Sequence, residues 1–299
     1  MNKRLAGALA LCLLAVLAAT PADARTDDRS KPIVYVHGYD SSGSTIGHSC
    51  TGYFDGTYTA LESWGHTGER ALVRYYRDDT NCNVDSHAHG SHATHYAGGH
   101  STGNGHTRDA SIRHLGYHLA WTIYDRYTSQ GVTVDLIGHS MGGLIARYAI
   151  GEVARGNADF PPSLLVEDAV TVGTPHGGSG WAWFCGNTQC VEMRPGSSFL
   201  NYLSANSPNP GAPATDWTNI ASDDDEVVAW DSATNMAAPH KSIYLTSENL
   251  SHSGMLDDNV SARDRDADYM QDNDGVWRFD SAHPRAVLRM DDALVLGTQ

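Results

Sequence analysis

The stretch Val132-Thr133-Val134-Asp135-Leu136-Ile137-Gly138-His139-Ser140-Met141-Gly142-Gly143-Leu144-Ile145-Ala146-Arg147-Tyr148 decides the fold. Val132–Ile137 reads as a buried strand, and residues 140–153 read as a helix. Between them Ser140 stands in a Gly-x-Ser-x-Gly pattern whose small neighbours permit a sharp turn. A serine on such a strand-to-helix turn is lifted above the end of a sheet with its hydroxyl accessible. The pattern alone is weak. With glycine near a tenth of the chain, about a quarter of one match arises by chance, and Gly99-His100-Ser101-Thr102-Gly103 is a second copy. Ser101 has glycines and histidines on both sides and no apolar run near it. Ser101 therefore reads as a loop residue and Ser140 as the nucleophile.

Working outward, Ile33–Val36, Ala71–Tyr76, Val166–Val172, Thr218–Ala221 and Ser242–Thr246 are further strand candidates. Helices are expected over Thr57–Trp64 and Thr107–Thr128. The second carries Ile112, Leu115, Leu119, Ile123 and Tyr127 on one face. Strands separated by helices predict an α/β fold, a mostly parallel sheet with helices on both faces.

The chain has 299 residues and a formal net charge of −15. That length suits one large domain. The negative charge argues against a nucleic-acid partner. Lys3 and Arg4 precede the apolar run Leu5–Ala19, and Ala22-Asp23-Ala24 matches a small-x-small cleavage site. Residues 1–24 thus read as a secretory signal peptide, and 25–299 as one domain, secreted and without a transmembrane segment. Within it, 80–106 is a histidine-rich loop, 173–216 a cap-like insertion and 257–299 a C-terminal extension. Beyond Cys12 the chain holds Cys50, Cys82, Cys185 and Cys190. An even count in an exported chain predicts two disulfides, of which Cys50–Cys82 and Cys185–Cys190 are the sequence-local pairs.

A serine hydroxyl needs a neighbouring base. In this strand-turn-helix class the chain order is serine, acid, histidine. His240 precedes the last strand candidate, at the wrong end of the sheet, and no strand is evident just before His283. His252 follows Ser242–Thr246 by a short loop, which is the place for a base. His139 and His176 come too early and read as packing or loop histidines. For the acid, Asp223, Asp224 and Asp225 compete. Asp225 is preferred because Val227 and Val228 can anchor its loop; Asp224 is second. Two backbone N–H groups, of Tyr39 and Met141, are placed to hold a negative oxygen.

Pro32–Gly38, the Gly138–Leu144 turn, Val172–Gly178, Pro195–Leu200, Asp225–Val228 and His252–Leu256 occur in that order. Together they resemble the bacterial secreted lipases of the α/β-hydrolase superfamily across residues 33–256. The resemblance implies an α/β-hydrolase fold with loop and cap insertions. It assigns Ser140 as nucleophile, His252 as general base and then acid, Asp225 as the residue orienting His252, and Tyr39 and Met141 as the oxyanion hole. Larger lipases of this kind place a calcium-binding aspartate two residues after the histidine. That position here is Gly254, which puts calcium in doubt.

Trp181, Trp183 and Phe184 lie where such folds insert a cap and are expected to contact an acyl chain. His87, His89, His92, His95, His100 and His106 are types that suit zinc, copper or nickel, but spacing within a loop sets no geometry. They read as a polar, pH-responsive lid, and no metal or organic cofactor is assigned. Asp272-Asn273-Asp274-Gly275 reads as a turn. The chain is thus expected to be a monomeric secreted serine hydrolase acting on a lipid or other ester substrate, a triacylglycerol lipase or esterase. The alternatives are a polyester depolymerase, an acyltransferase, or a non-catalytic secreted metal-binding protein.

Overall fold

The computed structural model describes residues 28–42, 45–87 and 106–296. The expected signal peptide and the histidines from His89 to His100 lie outside the described residues, as does Ser101. In chain order the elements are β1 (Ile33–Val36), α1 (Cys50–Tyr53), α2 (Asp55–Ser63), β2 (Arg70–Arg74), β3 (Val84–Asp85), α3 (Ile112–Arg126), β4 (Val134–His139) and α4 (Met141–Ala154). There follow β5 (Val166–Val172), α5 (Thr188–Met193), α6 (Ser198–Asn206), β6 (Asp216–Ser222), α7 (Trp230–Ala233), β7 (His240–Tyr244), β8 (Arg263–Met270), β9 (Arg278–Pro284) and α8 (Ala286–Leu296).

The strands form one sheet in the order β3-β2-β1-β4-β5-β6-β7-β8-β9. β1 to β7 pair in parallel, whereas β8 is antiparallel to β7 and to β9. This order, parallel but for the two strands at one end, is the mostly parallel sheet expected of an α/β-hydrolase fold. Successive side chains of a strand point to opposite faces, and the two halves of the core follow that rule. Val34, Val36, Val134 and Leu136 pack with Leu115 and Leu119 of α3 and Leu144 and Ile145 of α4. Ile33, Tyr35, Ile137 and Val170 pack on the other face with Leu61 of α2 and Val287, Met290 and Leu294 of α8. Both faces of the sheet are therefore covered, which parallel strands require.

Several boundaries differ from the sequence expectation for local reasons. β2 stops at Arg74 because the N–H groups of Tyr75 and Tyr76 turn to the Asp79 carboxylate, at 2.9 and 2.8 Å. α3 starts at Ile112, not Thr107, because Ser111 caps it, its Oγ accepting from the Arg113 N–H. The 173–216 stretch holds short helices, including a 3-10 turn at Gly180–Phe184. They start at the side-chain caps Ser179, Asn187 and Ser197. Residues 263–296 add two strands to the sheet and a helix to its core. Cys50–Cys82 and Cys185–Cys190 are bonded. Among the described residues no helix is long and apolar enough to cross a membrane.

Candidate active site

Because β1 and β4 to β7 are parallel, the loops after them gather at one edge of the sheet, where open α/β sheets place their ligands. Register brings β1 and β4 to that edge side by side, with Val36 opposite Gly138. Ser140 follows with φ 55° and ψ −129°, a left-handed conformation that a non-glycine residue holds only when its surroundings enforce it. Its N–H donates to the Val172 carbonyl at 2.8 Å. A Cβ on Gly142 would lie 2.0 Å from the Val36 carbonyl oxygen, and one on Gly38 would lie 2.8 Å from the Ser140 Cβ. The turn closes only because both positions lack a side chain.

His252 sits in the loop after β7, anchored by the buried Met255 and Leu256. Its Nδ1 is 2.7 Å from Asp225 Oδ2. The other Asp225 oxygen accepts the N–H groups of Val227 and Val228, both at 2.8 Å. Asp225 is thus held from both sides, with its side chain 1 % exposed. Asp223 instead accepts from the Thr246 hydroxyl at the surface. A cleft of about 180 Å³ is lined by Ser140 and His252 together with Tyr39, Trp181, Met193 and Val228. Met141 follows Ser140 at the first turn of α4, where helix N–H groups and dipole favour a negative charge.

The sequence-predicted residues Ser140, His252, Asp225, Tyr39, Met141 and Trp181 are therefore brought to one place. Trp183 and Phe184 are on the same 3-10 turn but do not line the cleft; they are 60 % and 87 % exposed. His240 begins β7 and bonds Asp216, at the opposite edge of the sheet. His283 lies on a strand, β9, that the sequence did not reveal, and meets the Ser242 hydroxyl at 2.9 Å.

Tyr53, Tyr75 and Arg108 carry no signal of this site in the sequence, and His139, which reads there as a packing or loop histidine, is a link between segments. The Tyr53 hydroxyl accepts the Gly38 N–H at 3.0 Å and donates to His139 Nδ1 at 2.6 Å. His139 Nε2 in turn donates to the His252 carbonyl at 3.0 Å. Burial, and then the nearby His252, hold the His139 pKa well below the ordinary imidazole value. It is therefore a neutral link with a fixed tautomer. The Tyr75 hydroxyl lies 2.7 Å from the carbonyl oxygens of both His37 and Gly38. Arg108 Nε donates to the Asp40 carbonyl at 2.6 Å. The loop is thus held on both sides of Tyr39, at Gly38 and at Asp40. Glu226 Oε2 accepts the His252 N–H at 3.1 Å; its only signal in the sequence is its place beside Asp225.

Residues 27–205 match the model of a family described as "Putative serine esterase (DUF676)". The matched span includes Tyr39, Ser140 and Met141 and ends before Asp225 and His252. No curated protein matches the chain. Among solved structures, Bacillus licheniformis lipase BlEst2 in its mature form is 20 % identical. The similarity covers 67 % of this chain and 68 % of that one, with a TM-score of 0.41. Aspergillus fumigatus lipase B is 15 % identical over 76 % of this chain and 49 % of that one, with a TM-score of 0.48. The product of Listeria innocua gene lin2722 is 16 % identical over 76 % and 88 % of the two chains, with a TM-score of 0.47.

Proposed function

The chain belongs to this serine esterase family, and from that premise we propose that it is an exported hydrolase of carboxylic esters, foremost of the triacylglycerol type. One observation carries the reading: the 2.7 Å bond from His252 to Asp225 opens onto the same cleft as Ser140 on its strained turn. Ser140 Oγ attacks the ester carbonyl carbon while His252 Nε2 takes its proton. Asp225, accepting from Nδ1–H, fixes the tautomer that leaves Nε2 free to act as base. The N–H groups of Tyr39 and Met141 stabilise the oxyanion. His252 then gives the proton to the departing alcohol. Water, deprotonated by His252, finally releases the acid from Ser140.

Trp181, Met193 and Val228 offer the acyl chain an apolar wall. Trp183 and Phe184, exposed on the neighbouring turn, suit contact with a lipid surface. Export is supported by the leader-like residues 1–24 and by the two disulfides. All the residues in the reaction come from one chain, so a monomer suffices.

The test is hydrolysis of chromogenic esters, from short to long acyl chain, by the processed protein and by Ser140→Ala. Activity that falls by about 10³-fold or more in the variant supports the reading. A preference for long chains marks a lipase, and one for short chains an esterase. No hydrolysis, or full activity in the variant, overturns it.

A further inference from the structure

Four imidazoles that do not line the cleft gather beside the β2–β3 edge of the sheet. His87 follows β3 directly, His106 forms a bridge with Tyr76, and His114 and His118 are one turn apart on α3. Ring centroids are 4.2 Å apart for His87 and His106, and 4.9 Å for His87 and His118. They are 4.5 Å apart both for His106 and His114 and for His114 and His118. His106, His114 and His118 are buried, and one ring nitrogen from each of His87, His106 and His118 lies within 4.8 Å of the other two. The sequence assigned no metal here because loop spacing sets no geometry; the fold supplies one.

The orientation of His87 separates a ligand from ordinary ring packing. Its Nδ1 is 3.3 Å from Asp85 Oδ1, and the same oxygen accepts the His87 N–H at 2.9 Å. Its Nε2 is buried and has no hydrogen-bond partner among the described residues. A carboxylate on one imidazole nitrogen, with the other directed at a cluster of imidazoles, is the arrangement that presents histidine to a metal. We propose that His87, His106 and His118 hold one divalent zinc-type ion, with Asp85 orienting His87.

Neutral imidazoles suit zinc, copper and nickel, and zinc accepts three of them at about 2.0–2.1 Å with a fourth position left over. His114, whose Nε2 lies 3.1 Å from that of His118, is the adjoining imidazole within reach of that position. Such an ion ties His87 and His106 to α3. Its effect extends further through His106, whose N–H donates to Tyr75 and whose carbonyl accepts from Arg77. Tyr75 in turn reaches the carbonyls of His37 and Gly38, next to Tyr39. The ion therefore supports the loop that carries one proposed oxyanion donor, without touching the substrate.

The experiment uses tag-free, chelator-stripped protein titrated with zinc chloride by calorimetry, with Tm measured in parallel. One equivalent should bind with sub-micromolar Kd and raise Tm. His87→Ala and His118→Ala should each weaken binding at least 100-fold. A variant replacing His89, His92, His95 and His100 by Ser should keep it. Cobalt(II) in the unaltered protein should give the intense visible bands of a four-coordinate, nitrogen-rich site, which needs no variant to fold. Absence of stoichiometric uptake overturns the proposal. So do weak six-coordinate cobalt bands, or binding that survives His87→Ala yet is lost in the fourfold variant. Ester hydrolysis is read separately, so failure of the metal site and failure of the hydrolase reading remain distinct.

Discussion

His139 Nε2 donates to the backbone carbonyl of His252 at 3.0 Å. The residue preceding the serine thus holds the loop that carries the histidine. The same imidazole accepts from Tyr53, and Tyr53 accepts from Gly38. One chain of three bonds therefore ties together the loop after β1, the serine turn and the loop after β7. These are the segments whose mutual placement an acyl-transfer site needs within about 0.5 Å.

Tyr53→Phe breaks that chain at its centre. It leaves the Gly38 N–H and His139 Nδ1 without their partner, which should cost about 1–3 kcal/mol of stability. We expect kcat/KM for esters to fall roughly 10- to 100-fold, since displaced loops misalign donors without removing them. Urea unfolding and steady-state kinetics of the purified variant check both. Unchanged kinetics would show that the link is not needed for positioning.

Asp225→Asn keeps an oxygen for the N–H groups of Val227 and Val228 but removes the acceptor facing His252 Nδ1. The favoured tautomer then reverses. We expect kcat to fall by about 10³–10⁴ with the fold intact. Asp224→Asn, at the exposed neighbouring aspartate, should leave kcat within about twofold. Kinetics of the pair, with circular dichroism as the folding control, decides which aspartate acts.

Lys31 meets Asp135 at 3.0 Å, Glu167 at 3.3 Å and Asp168 at 3.4 Å, with Lys31 and Asp135 buried. Burial pushes Asp135 up to about 8 even though Lys31 pulls it down. Lys31→Met strips the cation from these carboxylates and should cost about 3–5 kcal/mol at pH 7. The loss should grow as pH rises through about 8, because Asp135 of the parent protein then ionises beside Lys31 whereas in the variant it has no cation to face. Denaturant midpoints of the two proteins across pH measure it; a loss independent of pH would refute the account of this cluster.

Two further imidazoles give the whole protein an acid limit. His48 is pushed down to about 4 by burial and then by His37. His283 is also pushed down to about 4, by burial and then by Arg289. Between pH 6.5 and about 4 the unfolded chain binds protons that the folded one refuses. What these two imidazoles contribute is therefore full above pH 6.5 and is lost as pH falls through that window. Each group gives a slope of up to about 1.4 kcal/mol per pH unit. Urea midpoints at pH 7, 5.5 and 4.5 should decline steadily; a flat profile would contradict the assignment.

Where sequence and structure agree, the signal is local. Ile33–Val36 and Val166–Val172 are apolar runs ended by turn residues, and the structure reproduces both spans. The serine turn shows in its glycines, and Asp225 shows in the valine pair whose N–H groups it binds. What stayed hidden depends on contacts between distant segments or on polar edges. Tyr53 reaches His139 across 86 residues. β8, Arg263-Asp264-Arg265-Asp266-Ala267-Asp268-Tyr269-Met270, alternates charges near the sheet edge, so no apolar run marks it. α8 carries the buried Asp291, which pairs with Arg29 and His66, and a charge inside the helix masks its amphipathic face. The histidine cluster joins the chain at 87, 106 and 118, and only the fold shows that these positions meet.

The central claim is that Ser140 is the nucleophile of this fold. Its most direct test is reaction of the processed protein with a fluorophosphonate, followed by mass-spectrometric mapping of the adduct. The account predicts one adduct per chain, on Ser140, absent in Ser140→Ala and formed far more slowly in His252→Ala. An adduct on Ser101, or none on any serine, would contradict it.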